Sequence, residues 1–316
     1  MTEQPAAFGM SNAVSYAFAK RERRFVLLRA ALAFLLINAL IYGASAYLMR
    51  DAFADYMAWA TQIAESGGLA SGTPPPMPPQ SVLNAVPAAL LLGLLFLVLM
   101  AVYEAACLRW LVRGEAGGGF FGLRLDADAA RVLLVYLTWV GVVLAVYMAM
   151  IVVGTALAFL FALVRAPVGL FLALAPLLFL GGLIFVGVRF APAAAVTIRA
   201  QRYAFLRAWA VTKGRFWSLF GAFAFILILY FVASLMLYTV FLFTVMGGAM
   251  AALMEAGGRP DPAAIAAMMT TPEAIAASLA LNIVFVVLYQ LTLIALFGVN
   301  AYAASAVQPD GPLPAK

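Results

Sequence analysis

The chain has 316 residues, of which 66% are hydrophobic and 10% charged, with 19 Lys and Arg against 13 Asp and Glu for a net charge of +6. Soluble domains carry about 45–50% apolar and about 25% charged residues, so a mean hydropathy of +1.06 excludes a single water-soluble globule and places the chain in a bilayer. With no histidine and only Cys107, an intramolecular disulfide, Ser-His-Asp or Cys-His catalysis and the commonest zinc ligand are all excluded.

In chain order, residues 1–24 read as a cytoplasmic interfacial helix. Met10, Val14, Ala17, Phe18 and Phe25 share one helical face, while Lys20, Glu22, Arg23 and Arg24 lie elsewhere. A membrane domain over 25–306 follows. A hydrocarbon core about 30 Å thick needs about 20 apolar helical residues. Six stretches qualify, near 25–49, 81–106, 132–164, 168–190, 216–246 and 276–303. Ala44-Ser45-Ala46 resembles a signal-peptidase site, but the basic lead and the apolar run are both too long for a signal peptide, so the first span is read as an anchor. The fifth span is read as continuous to Gly247-Gly248, with a break inside it as the alternative. Residues 72–80, GTPPPMPPQ, suit a stiff polyproline spacer on the outside. Asp261-Pro262 and Thr271-Pro272 suit helix starts there. Residues 307–316 form a cytoplasmic tail.

All but three of the 19 positive residues fall on one side of a six-span topology, the exceptions being Arg50, Arg165 and Arg259. The positive-inside rule then puts both termini in the cytoplasm of a bacterial inner membrane. Because these positives lie between apolar segments and no basic domain exists, no nucleic-acid partner is expected. Basic or aromatic runs precede the odd spans, and small residues end the even ones. The expected fold is therefore an all-α, six-helix transmembrane bundle, for which three repeats of an interfacial helix plus a membrane hairpin are one construction that fits the pattern.

Chemistry-bearing residues are sparse. Glu104 is the carboxylate nearest a span interior, and with Gln290 and Asn84 it forms the candidate set for transport. The structural alternative for Glu104 is an ion pair or a helix-end residue at the headgroup level, with Arg109 and Arg113 following within the next turns. Asp126 and Asp128 resemble a metal pair, but they precede a span with no third ligand and suit helix capping. No catalytic residue, metal site or cofactor is expected. Gly141, Ala145 and Ala149 form a small-residue strip suited to close helix contact. In AWAVTKGRFWSLFGAF, residues 208–223, the sequence TKGR lacks the Gly-rich lead and the Ser/Thr of a phosphate loop. Instead Arg207, Trp209, Lys213, Arg215 and Trp217 suit contact with lipid headgroups, the cations meeting phosphate and the tryptophans fixing depth.

Two stretches, AVSYAFAKRERRF before the first span and RFAPAAAVTIRAQRYAFLRAWAVTKGRFWSLFG around the loop after the fourth, resemble a bacterial membrane family. The second is similar to a signature of proteins related to the membrane domain of glycerophosphoryl diester phosphodiesterases, with Ala208 where that pattern usually has Ser. The resemblance implies an integral membrane module and no phosphodiesterase activity, because the catalytic domain with its histidines and metal-binding acids is missing. The expected function is a non-enzymatic inner-membrane protein that binds or organises lipid, with anionic lipids and membrane proteins as partners. A transporter or permease-like subunit is the alternative.

Overall fold

A computed structural model describes residues 9–19, 25–65, 77–116, 118–164, 167–245, 247 and 272–306. The expectations for Lys20–Arg24, for most of the polyproline spacer, for the helix start at Asp261, for Arg165 and Arg259 and for the tail lie outside these residues. The protein is an all-α, six-helix membrane bundle. Its helices are α1 (Met10–Ala19), α2 (Phe25–Glu65), α3 (Gln80–Leu108), α4 (Ala127–Leu163), α5 (Val168–Phe190), α6 (Ala193–Ala200), α7 (Arg207–Thr212), α8 (Phe216–Val245) and α9 (Pro272–Ser305). A π-helical turn, Arg109–Arg113, extends α3 and stops at Gly114, whose φ of 71° needs no Cβ to avoid. Six helices, α2, α3, α4, α5, α8 and α9, are long and apolar enough to cross a bilayer. Helices are the element lipid demands, since the bilayer core offers no water to unpaired backbone groups.

Several helices outrun the spans read from hydropathy. α2 does not stop near residue 49 but continues to Glu65, and its 41 residues are about 60 Å long at 1.5 Å each. The Ala44-Ser45-Ala46 stretch therefore lies inside regular helix. α8 runs unbroken over Phe216–Val245, which removes the split-span alternative within those residues.

Burial is confined to one end of the bundle. Buried side chains occur at Leu27–Phe34 in α2, from Leu99 into the π-turn, at Asp128–Val135 in α4, from Val188 into α6, at Leu219–Ile226 in α8 and from Gln290 to Ala304 in α9. Every odd span is buried where it begins and every even span where it ends. Among the described residues none is buried over 35–98, 136–187 or 227–289. At this packed end alanines dominate, and small side chains let backbones approach closely where hydrocarbon solvent gives no hydrophobic drive. Three rings fix its centre: Tyr103 of α3 stacks on Phe34 of α2 at 4.6 Å and meets the edge of Phe297 of α9 at 5.7 Å.

Three expectations need correction. The buried face of α1 differs from the one expected: it packs on α8 and α9 with Ala13 and Ala17 buried and Met10 and Phe18 exposed. Its buried face is thus one residue round from the face read from the sequence, because tertiary contacts with Gly298 and Tyr302 select it. The three-repeat unit is incomplete: before α4 the chain forms a tight turn bridged between Phe120 and Leu123, with no interfacial helix. The Gly141, Ala145 and Ala149 strip is exposed, because it lies beyond the packed end, where α4 faces lipid.

A Cβ at Gly298 would stand 2.8 Å from the Ala17 Cβ and 3.0 Å from its backbone nitrogen. Gly298→Ala should therefore push α1 off α9 and cost about 1–3 kcal/mol. Thermal unfolding in detergent checks this, and adding Ala17→Gly should restore part of the loss by removing one of the two clashes.

Candidate functional site

Arginines organise the packed end. Arg109 follows α3 directly and is 0% exposed. It donates to the Asp126 carboxylate and, at 3.5 Å, to the Gly122 carbonyl. Asp126 also accepts from the Ala129 backbone N–H at 3.0 Å, which makes it the N-cap of α4 as its position before the span suggested. Asp128 takes Arg113 at 2.5 Å and Arg131 at 2.6 Å. Both acids are therefore consumed by arginine and capping contacts, and no cluster of three metal-ligating side chains occurs among the described residues. Burial works to raise the Asp126 pKa, but the Ala129 N–H and the guanidiniums of Arg109 and Arg124 outweigh it and hold the carboxyl below its ordinary value.

Three more arginine contacts reach the last turns of other helices. Arg113 donates to the Ile198 carbonyl of α6 at 3.0 Å, Arg189 to the Thr212 carbonyl of α7 at 3.0 Å, and Arg199 to the Ala304 carbonyl of α9. The Thr212 hydroxyl returns a bond to the Arg189 carbonyl at 3.2 Å, locking the end of α5 to the end of α7. Helix C-termini carry partial negative charge, so a guanidinium there is favourable even where, as at Ile198 and Thr212, the carbonyl already accepts a backbone N–H.

The lipid-contact residues divide between surface and interior. Arg207, Lys213 and Trp217 are exposed, Trp209 is 42% exposed and Arg215 is half-buried. The segment carrying them is not a loose interfacial belt: Ala204, Phe205, Ala208, Val211 and Thr212 are buried, so only one face of α7 meets solvent or lipid. Trp209 and Trp217 belong to one aromatic patch, Trp209 lying 5.5 Å from Phe190 and Trp217 lying 5.9 Å from Phe220.

The residue that sequence reasoning counted only as a charge is Arg189. Its guanidinium lies over the rings of Phe185, Trp209 and Phe216 at 5.4, 5.1 and 5.5 Å. The signal was present in the spacing, since Phe185 and Arg189 are one helical turn apart and such pairs share a face. Trp209 and Phe216 come from other helices, which no local pattern reveals. Beside Arg189 a cleft of about 500 Å³ opens between α5 and α8.

The candidate transport residues do not converge as a set. Glu104 is 5% exposed and accepts from the Tyr136 hydroxyl, so its partner is a tyrosine of α4 and not Arg109 or Arg113, which Asp126 and Asp128 engage. Asn84 lies twenty residues away on α3, about 30 Å along the helix, where it accepts from Gln80 at 3.1 Å. Gln290 is 4% exposed on α9, and its amide has no protein partner. Comparison of the chain with protein families, with curated proteins and with solved structures finds no match.

Asp126→Asn keeps an oxygen for the Ala129 N–H but leaves Arg109 without a counter-charge, so it should cost about 3 kcal/mol. The depressed Asp126 pKa also gives wild type a stabilisation that is complete at neutral pH and is lost as pH falls below the ordinary aspartate value of 3.8. Melting temperatures across that acid range should therefore fall more steeply for wild type than for Asp126→Asn.

Proposed function

We propose that this chain is a non-enzymatic, multi-pass protein of a bacterial inner membrane that binds anionic lipid at its packed, arginine-rich end. What supports this most is the group of cations around α7, where Arg189 lies over aromatic rings and, among the described residues, Arg189, Arg207 and Lys213 form no ion pair. Exposed cations near a membrane surface attract anionic headgroups by about 1 kcal/mol each, and tryptophans favour headgroup depth. The lipid-related family suggested by the Pro192–Trp217 stretch is consistent with this reading, as are membrane-protein partners on the exposed face of α7. The transporter alternative gains nothing specific from the geometry, since Asn84 and Glu104 stand at opposite ends of α3.

Changing Arg207, Lys213 and Arg215 together to Gln should lower retention of anionic lipid in native mass spectra, in a salt-sensitive way, and leave zwitterionic lipid unaffected. Equal retention of both lipids by the variant and the wild type would refute lipid contact here and direct attention to a protein partner.

In this reading the packed end faces the cytoplasm. Cys107 is buried, so single added cysteines report cleanly. A cysteine at Met77, which is 91% exposed, should react with impermeant thiol reagents outside, whereas one at Leu206, 77% exposed, should react only from within. Ala204, the obvious alternative in the same loop, is buried and would stay silent from either side.

A further inference from the structure

The geometry points to the α5–α8 cleft as a discrete site for one phospholipid, with Arg189 taking the headgroup phosphate and the groove beneath it taking an acyl chain. This deepens the lipid-binding reading above and rests on it, but it makes a narrower claim than surface attraction. The cleft, about 500 Å³, is walled by Gly181, Ile184, Phe185 and Arg189 of α5 and by Phe216 and Phe220 of α8.

Its polarity matches a lipid's. Arg189 is the penultimate residue of α5, at the packed end of the bundle, and Phe216 is the first residue of α8 at the same level. Gly181 lies eight residues back along α5, about 12 Å deeper, close to the half-thickness of a bilayer core. The cation therefore stands at headgroup depth, and everything below it in the cleft is apolar. One guanidinium nitrogen of Arg189 holds the Thr212 carbonyl, while among the described residues its Nε has no hydrogen-bond partner and the side chain forms no ion pair. A guanidinium held beneath aromatic rings with a donor to spare is suited to a phosphate oxygen. Gly181 provides the groove's floor: a Cβ built there meets no atom within 4 Å, so the absent side chain is space and not a packing requirement.

That space supplies the test. Gly181→Phe fills the groove without displacing backbone, and Gly182→Phe serves as its control, since a Cβ at Gly182 also meets nothing and Gly182 does not line the cleft. The full chain is purified with phosphatidylglycerol or phosphatidylcholine and read by native mass spectrometry, with inorganic phosphate as a competitor. Wild type and Gly182→Phe should retain one phosphatidylglycerol after the diffuse lipids are stripped. Gly181→Phe and Arg189→Gln should each weaken that retention about tenfold, which corresponds to the loss of one charge-assisted contact. Arg189→Lys should recover part of it. Changing Arg207, Lys213 and Arg215 to Gln should remove diffuse lipid but leave the single tight one.

Unchanged tight retention by folded Gly181→Phe overturns the cleft site while leaving the broader lipid reading intact. Retention lost only in the triple variant does the same. Absence of any retained phosphatidylglycerol in wild type overturns both. Displacement by millimolar inorganic phosphate shows that the site takes a free anion and overturns its assignment to lipid.

Discussion

The interaction on which the rest of the structure depends is the arginine that reaches from one segment to the C-terminal carbonyls of another. α6 and α7 have eight and six residues, too few to be stable as isolated helices, and in their last turns the Ile198 and Thr212 carbonyls accept a backbone N–H only from just past the helix, from Gln201 at 3.3 Å and Arg215 at 3.1 Å. Arg113 closes α6, Arg189 closes α7 and Arg199 closes α9. Each bond does two things at once, bringing a charged donor to a last-turn carbonyl and tying separate segments together. The Arg113 link joins residues 85 apart in sequence and the Arg199 link joins residues 105 apart. Arginine suits this task better than lysine, because its several donors are arranged in a rigid plane and its charge is never lost.

These links explain why the bundle is packed at one end only. Around the arginines, small alanines bring α1, α3, α6 and α9 close, and the Phe34–Tyr103–Phe297 stack fills the centre. Farther along, among the described residues, polar contacts between spans are few, such as the one from the Ser81 hydroxyl of α3 to Asp55 of α2 at 2.5 Å, and apolar side chains such as Leu90, Phe159 and Phe231 are exposed. In water that surface would be untenable. In a bilayer it costs little, because acyl chains are as apolar as the side chains they replace. The same asymmetry leaves the α5–α8 cleft open toward lipid while its upper rim is fixed by the lock between Arg189 and Thr212.

Charge at the packed end separates into two populations. The loop before α4 is neutralised internally, with Asp126 and Asp128 shared among Arg109, Arg113, Arg124 and Arg131. Around α7, among the described residues, Arg189, Arg207 and Lys213 form no ion pair, and aromatic faces stand against Arg189. Buried ion pairs mainly specify one arrangement and add little net stability, so the first population fixes the fold. The second keeps its charge available to whatever lies at the membrane surface. Glu104 belongs to neither group, since its bond to Tyr136 joins α3 to α4 within the buried layer.

The sequence by itself determined the number of spans, the helical class and that both described ends lie at the same end of the bundle. Each of these follows from local properties, namely the length of an apolar run and the alternation of charge between runs. It also placed Asp126 correctly as a cap, because capping is decided within four residues. Tertiary structure alone decided which face of α1 is buried, since the close approach of Ala17 to Gly298 involves residues on the first and last helices. It also decided that Glu104 pairs with Tyr136 and not with the neighbouring arginines, because those guanidiniums find stronger partners in a loop that folds back onto them. Above all it decided the surroundings of Arg189. Phe185 was legible one turn away, but Trp209, Phe216 and the cleft beside them arise only when α5, α7 and α8 meet, and hydropathy carries no information about which helices become neighbours.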